Sequence, residues 1–203
     1  MLTRRTLLAS TAAFALLPQA ARAEAPEGFF AAERPLPEME MGSKDAKVVI
    51  TEYASMTCPH CKTFHESTLP KLKEQYVDTG KVRYQLREFA FDPLSAAAFM
   101  LARCAPNDGY FPMVDILFES QTEWSRSQNP ANALFEKAKL AGFTRPEFDK
   151  CLSDQALLDN VNAVRREGEK FGVRGTPTVF VNGEKVESSF DAISKAVEAQ
   201  LAS

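Results

Sequence analysis

Apolar and polar positions change period several times along this chain, and each change marks an element. Lys47-Val-Val-Ile-Thr-Glu-Tyr-Ala54 is a β-branched and aromatic run, the signal of a buried strand. A short turn follows, and then Phe64, Leu69, Leu72 and Tyr76 recur at helical spacing until Gly80. Val82-Arg-Tyr-Gln-Leu-Arg-Glu-Phe89 alternates apolar and polar residues, which predicts a half-exposed strand. The first unit is therefore β-α-β. From Pro93 to Gly172 the period is helical throughout. Leu94–Ala105 stops at Pro106, and Phe111–Ser120 carries Pro112 in its first turn, where a missing N–H costs nothing. Asn129-Pro130 reads as N-cap and first helical residue, with Gly142 closing that helix. Thr144 and Glu147 form a capping box, and Ser153 is placed to cap a long helix ending at Gly172. Five helices are predicted in this block, with the lone Trp124 in a loop between two of them. Beyond it, Thr178–Val181, the turn Asn182-Gly183 and Glu184–Glu187 predict a hairpin, and a last helix covers about 190–201.

The chain thus divides into a lead-in over 24–41, an α/β unit made of 42–92 and 173–203, and an all-helical insertion over 93–172. An insertion of this kind favours two lobes with a cleft between them. The lead-in is rich in Pro, Glu and Ala and predicts at most one edge strand.

Residues 1–23 follow a different logic. A short basic start with Arg4 and Arg5, a 12-residue apolar stretch, Pro18, and then Ala21-Arg22-Ala23 make the pattern of a cleavable signal peptide, cut after Ala23. Twelve residues span about 18 Å, too little for a hydrocarbon core about 30 Å thick. The paired arginines leave the Sec and twin-arginine routes both open. The expected mature protein lies outside the cytoplasm, in the periplasm, and does not span the membrane.

Composition changes this picture little. The 203 residues are 45% hydrophobic and 25% charged, as in ordinary globular proteins. The formal charge is −3, and without residues 1–23 there remain 21 basic against 27 acidic residues, a net of −6. No concentrated basic run is visible, so nucleic acid is not an expected partner.

The chemistry lies in four cysteines. Cys58-Pro-His-Cys61 sits where a strand turns into a helix. A sulfur there meets unpaired backbone N–H groups and the positive end of the helix dipole, which favour the nucleophilic thiolate. Pro59 fits the first helical position, and His60 can add charge or a donor, tuning the couple. Stabilising the reduced form makes the disulfide a stronger oxidant. A metal site would need further ligands, and His60 and His65 are the only histidines. Neither metal nor cofactor is expected, although a copper or zinc carrier using the two cysteines is the competing reading from another class.

These residues, with Val173-Arg-Gly-Thr-Pro-Thr178 before the hairpin, resemble the thioredoxin-like thiol oxidases of the DsbA family across essentially residues 42–203. The resemblance implies a thioredoxin fold with an inserted all-helical domain and a protein thiol:disulfide oxidoreductase. It also implies that this enzyme gives its disulfide to reduced exported polypeptides, is reoxidised by a membrane-bound partner, and works as a monomer. An isomerase or reductase of the same fold is the alternative. By this resemblance Cys58 is the nucleophile and Cys61 the buried resolving sulfur. Pro177 is cis, and the backbone of Thr176 pairs with an extended substrate. Glu52 matches a buried acid, with Arg83 or Arg87 as its partner. Thr176 departs from the apolar residue of the best-known oxidase, which leaves oxidation against reshuffling open. Cys104 and Cys151, both in the helical block, are expected to form a structural disulfide, since free thiols seldom persist in an oxidising compartment.

Overall fold

The computed structural model describes residues 25–31 and 33–202; the expected signal peptide, with Arg4, Arg5 and the Ala23 cleavage site, lies outside the described residues. A mixed sheet with the order β1-β3-β2-β4-β5 organises the molecule. Its strands are β1 (Met39–Met41), β2 (Val48–Ala54), β3 (Val82–Glu88), β4 (Thr178–Val181) and β5 (Glu184–Val186). β2 and β3 are parallel, with Ile50 opposite Tyr84 and Glu52 opposite Leu86. β1 pairs antiparallel with β3, and β4 antiparallel with both β2 and β5. The β4–β5 turn is Asn182-Gly183, both at positive φ (47° and 83°), the conformation that the primed hairpin turn demands.

β2 is buried along its whole length, as its unbroken apolar run requires. β3 departs from the expected half-exposed strand, because only Arg83 on it is not buried. Its alternation marks two covered faces. Tyr84 and Leu86 face the main core, while Arg87 is covered by the lead-in. There its guanidinium lies 4.6 Å from the Phe29 ring, donates to the Phe29 carbonyl at 2.9 Å, and pairs with Glu38 at 2.7 Å. The lead-in is therefore an anchored part of the core, with Phe29 fully buried among Tyr53, Phe89, Val173 and Phe180.

The connection from β2 to β3 is one helical run over 59–77. It consists of α1 (Pro59–Thr63), a π-helical stretch Phe64–Thr68, α2 (Leu69–Leu72) and a second π-helical stretch Lys73–Val77. The helical block holds α3 (Pro93–Cys104), α4 (Tyr110–Glu119), α5 (Gln121–Ser125), α6 (Pro130–Leu140), α7 (Arg145–Leu152) and α8 (Gln155–Lys170). The expected five helices lacked α5, and Trp124 lies on it instead of in a loop. The indole is fully buried and donates to the Leu117 carbonyl at 2.8 Å. A five-residue helix whose buried side chains are Gln121 and Trp124 leaves no periodicity to read. Asp154, not Ser153, caps α8, accepting from the Leu157 N–H at 3.0 Å. Gly168 on α8 lets that helix press on the sheet, since a Cβ there would meet Tyr53 Cε1 at 2.7 Å. α9 (Phe190–Leu201) closes the chain, capped by Ser189. Cys104 and Cys151 are joined, tying the end of α3 to α7.

Candidate functional site

Cys58 is the N-cap of α1, in extended conformation, and Pro59 occupies the first turn, so the site is built where β2 ends and the helix begins. The structure holds both motif cysteines free, Cys58 half-buried and Cys61 buried. The Cys58 thiol is lowered to about 5. The largest cause is the Cys61 thiol, which donates to it; burial opposes this, and the Thr176 side chain and the backbone N–H groups of Cys61 and His60 add to it. Cys61 moves the other way. Burial raises its pKa first, then its bond to Cys58, then the negative charge of Glu52. One thiol is thus poised to ionise and the other to keep its proton, which is the division of labour that disulfide exchange needs.

Opposite Cys58 lies the loop before β4. The Thr176–Pro177 peptide bond is cis, and the Thr176 carbonyl accepts from Cys58 Sγ at 3.3 Å. The Thr176 hydroxyl is buried with no hydrogen-bond partner among the described residues in this geometry. It nevertheless stands near enough to both sulfurs to lower the pKa of Cys58 and of Cys61. His60 contributes its backbone N–H, while the exposed residue also lines a groove of about 390 Å³ with Phe64, Thr176 and Pro177.

Glu52 is fully buried on β2. Neither Arg83 nor Arg87 pairs with it. They reach Glu40 at 3.4 Å and Glu38 at 2.7 Å, because the β2–β3 register puts them on the other face of the sheet, with Thr51 and Tyr53. Glu52 instead accepts from the Tyr84 hydroxyl and lies 3.1 Å from His65 Nε2, while its Oε1 is buried and unpartnered among the described residues. The Tyr84 hydroxyl is raised well above its ordinary pKa by burial and by Glu52, so it remains a donor. Sequence reasoning missed His65 and Tyr84. The signal for His65 was present, four residues past Cys61 on a helix and hence on the same side.

Also missed were the residues by which the helical block holds the loop before Cys58. Asp92 caps α3 through the Ser95 N–H at 2.8 Å and accepts from the Thr57 hydroxyl at 2.6 Å. Ser95 Oγ bonds Ser55 Oγ at 2.9 Å and accepts from the Met56 N–H at 3.0 Å. Gln121, buried on α5, donates to the carbonyls of Met56 and Cys58 at 2.8 and 3.0 Å. Among the described residues, no group of three or more His, Cys, Asp or Glu is placed to hold a metal ion.

A parallel-antiparallel sheet interrupted by helices, with a Cys-x-x-Cys helix start facing a cis-proline, defines a thioredoxin-fold protein of the DsbA type. The family model described as thioredoxin matches residues 36–199, and the chain belongs to that family. It is 39% identical over 167 residues to a putative protein-disulfide oxidoreductase of Rickettsia bellii, covering 79% of this chain and 63% of that one. It is 30% identical over 172 residues to the probable disulfide bond formation protein D of Bacillus anthracis, covering 81% and 78%. The chain spans less than two thirds of the length of the rickettsial relatives. Among solved structures it is similar to Wolbachia pipientis alpha-DsbA1, with a TM-score of 0.73 and 27% identity over 83% of this chain and 94% of that one. None of the helices in the described residues is long and apolar enough to cross a membrane.

Proposed function

We propose that the protein is a thiol:disulfide oxidoreductase that donates a Cys58–Cys61 disulfide to reduced exported polypeptides. The observation that carries this reading is the divergence of the two thiols, with Cys58 held at about 5 while Cys61 is raised. In the oxidised protein a substrate thiolate attacks Cys58 Sγ, the accessible sulfur. The Cys58–Cys61 bond breaks, and Cys61 takes up a proton in its buried site. A second substrate thiolate then attacks the substrate sulfur of the mixed disulfide, and Cys58 leaves as a stable thiolate. Two substrate thiols are oxidised, one protein disulfide is reduced, and of the two protons released one rests on Cys61. A leaving thiol of low pKa departs faster, so the second step runs towards substrate disulfide.

The roles of Thr176 and Pro177 follow from their position across Cys58, where the Thr176 backbone offers an extended substrate its hydrogen bonds. The Cys104–Cys151 bond is structural and takes no part in turnover. The leader pattern at residues 1–23 supports action in the periplasm, with a membrane-bound partner restoring the disulfide. The deciding experiment is equilibration with glutathione buffers, followed by oxidation of a dithiol peptide. The reading expects a reduction potential far above the value of about −270 mV typical of thioredoxin. A potential at or below that value overturns the donor direction, and a peptide left reduced overturns the activity.

A further inference from the structure

We infer that the groove between the end of α8 and the loops at Phe91 and Arg174 is a docking site for an acidic segment of the polypeptide substrate, close to its reactive cysteine. This rests on the proposed oxidoreductase function and names the substrate feature that the same site selects. The groove measures about 620 Å³. Its apolar side is Phe89 and Phe91, the latter 50% exposed. Its polar side is basic, with Arg165, Arg166, Lys170 and Arg174 against the single carboxylate of Glu169. That carboxylate is already held by Arg165 at 2.9 Å, and Arg174 is turned to the backbone carbonyls of Glu169 and Val173 at 2.7 and 3.0 Å. Arg166 and Lys170 are exposed and have no carboxylate partner among the described residues. They stand four apart on one helix, where like charges repel. A carboxylate from outside relieves that repulsion. The sequence showed no basic run because these cations are interleaved with acids, and the fold gathers them on a chain whose formal charge is −3.

Both walls of the groove lead to the reactive sulfur. Arg174 is two residues from Thr176, whose carbonyl contacts Cys58, so at most about 7 Å of chain separates them. Phe91 adjoins Asp92, which holds the Thr57 hydroxyl next to Cys58. An extended substrate paired at Thr176 therefore brings residues about two to four places from its cysteine over the groove. An apolar side chain there packs on Phe91, and a carboxylate meets Arg166 and Lys170. The charge is confined to one groove beside a peptide-binding edge, which fits a peptide carboxylate better than the repeated phosphates of a nucleic acid or a lipid surface.

The test uses dithiol peptides that differ only in carrying Glu, Gln or Lys three residues from the reactive cysteine. Wild type should oxidise the Glu peptide about two- to thirtyfold faster than the Gln peptide in kcat/KM, with the Lys peptide slowest. The preference should fade in about 0.5 M salt, as exposed charge pairs do. The Arg166→Ala, Lys170→Ala double variant should treat all three alike while matching wild type on the Gln peptide and on a small neutral dithiol. The Arg166→Glu, Lys170→Glu variant should favour the Lys peptide. Equal rates on all peptides with wild type, or a Glu preference that survives in the alanine variant, overturn the proposal. So does preferential capture of the protein by anionic phospholipid vesicles that blocks the Glu peptide. Anisotropy of the labelled peptides on a Cys58→Ser variant reads the groove without turnover. A Glu preference there with no oxidation by wild type upholds the groove and refutes the oxidoreductase reading alone.

Discussion

Titration of Cys58 is the most direct measure of the chemistry built into the start of α1. An ordinary thiol with a pKa of about 8.5 is about 3% ionised at pH 7. At the value of about 5 that the site imposes on Cys58, the thiolate is nearly complete at that pH. The reduced form then gains a factor of about 100 over a protein with an unperturbed thiol, and at 29.6 mV per decade this raises the reduction potential by about 60 mV. Because Cys58 is half-exposed and solvent screens part of the effect, that figure is an upper bound. The sign follows from linkage. The folded pKa lies below the unfolded one, so the stabilisation of the reduced protein is complete above about pH 8.5 and is lost as pH falls through about 5. The perturbation that isolates the leading cause is Cys61→Ala, which removes the thiol that donates to Cys58 and leaves the helix start in place. Thiolate absorbance near 240 nm should give a midpoint near 5 for the reduced protein and a midpoint moved towards 8.5 for the variant. Iodoacetamide trapping should follow the same two curves. A wild-type midpoint near 8.5, or a variant indistinguishable from wild type, refutes the reasoning.

Three further outcomes are expected. The Cys104→Ala, Cys151→Ala double variant loses the closure of a loop with a sequence separation of 47. Chain entropy sets that loss at about 4 kcal/mol, or about 8–16 °C in melting temperature by calorimetry, with peptide oxidation retained. Retained stability with lost activity would make the pair a relay and refute its structural role. Glu52→Gln removes a negative charge that helps to raise Cys61, so the Cys61 titration followed by 13Cβ shift in a Cys58→Ala background should move down; no movement refutes the coupling. Gln121→Ala leaves the Met56 carbonyl without its partner and should cost about 1–3 kcal/mol in urea unfolding, with slower peptide oxidation; an unchanged midpoint and rate refute its positioning role.

Much of the site was legible because it is local. Cys58, Pro59 and Cys61 sit within four residues at a strand-to-helix change, so the helix start and the neighbouring thiol that favour the Cys58 thiolate both lie inside the motif. Thr176-Pro177 became readable only through family resemblance, since nothing in the dipeptide says what it faces. Glu52 shows where reading the chain stops. Its residue type marked an acid in a buried strand, but its partners depend on the phase of β2 against β3. One residue of register separates the face carrying Tyr84 from the face carrying Arg83 and Arg87. The arginines were the chemically obvious partners, and the register forbids them. α5 escaped for another reason, since a five-residue helix with two buried side chains, Gln121 and Trp124, shows no period.

The same distinction explains why the helical block matters to the chemistry. From the sequence it is an insertion, separable in outline from the α/β unit. In the structure its α3 begins with Asp92 and Ser95, which take up the Ser55 and Thr57 side chains and the Met56 N–H, and its α5 contributes Gln121 to the carbonyls of Met56 and Cys58. All but the part-buried bond to the Cys58 carbonyl are charge-assisted or buried hydrogen bonds, strong where water is excluded. They fix the backbone that delivers Cys58 to the helix start, and hence the direction in which the N–H groups of His60 and Cys61 point at its sulfur. The Cys104–Cys151 bond ties the far end of α3 to α7 and not to the active loop. The positioning contacts therefore gather at the start of α3 and on α5, away from the disulfide. Loss of the disulfide should act on melting alone, and loss of Ser95 or Gln121 on melting and on the thiolate together.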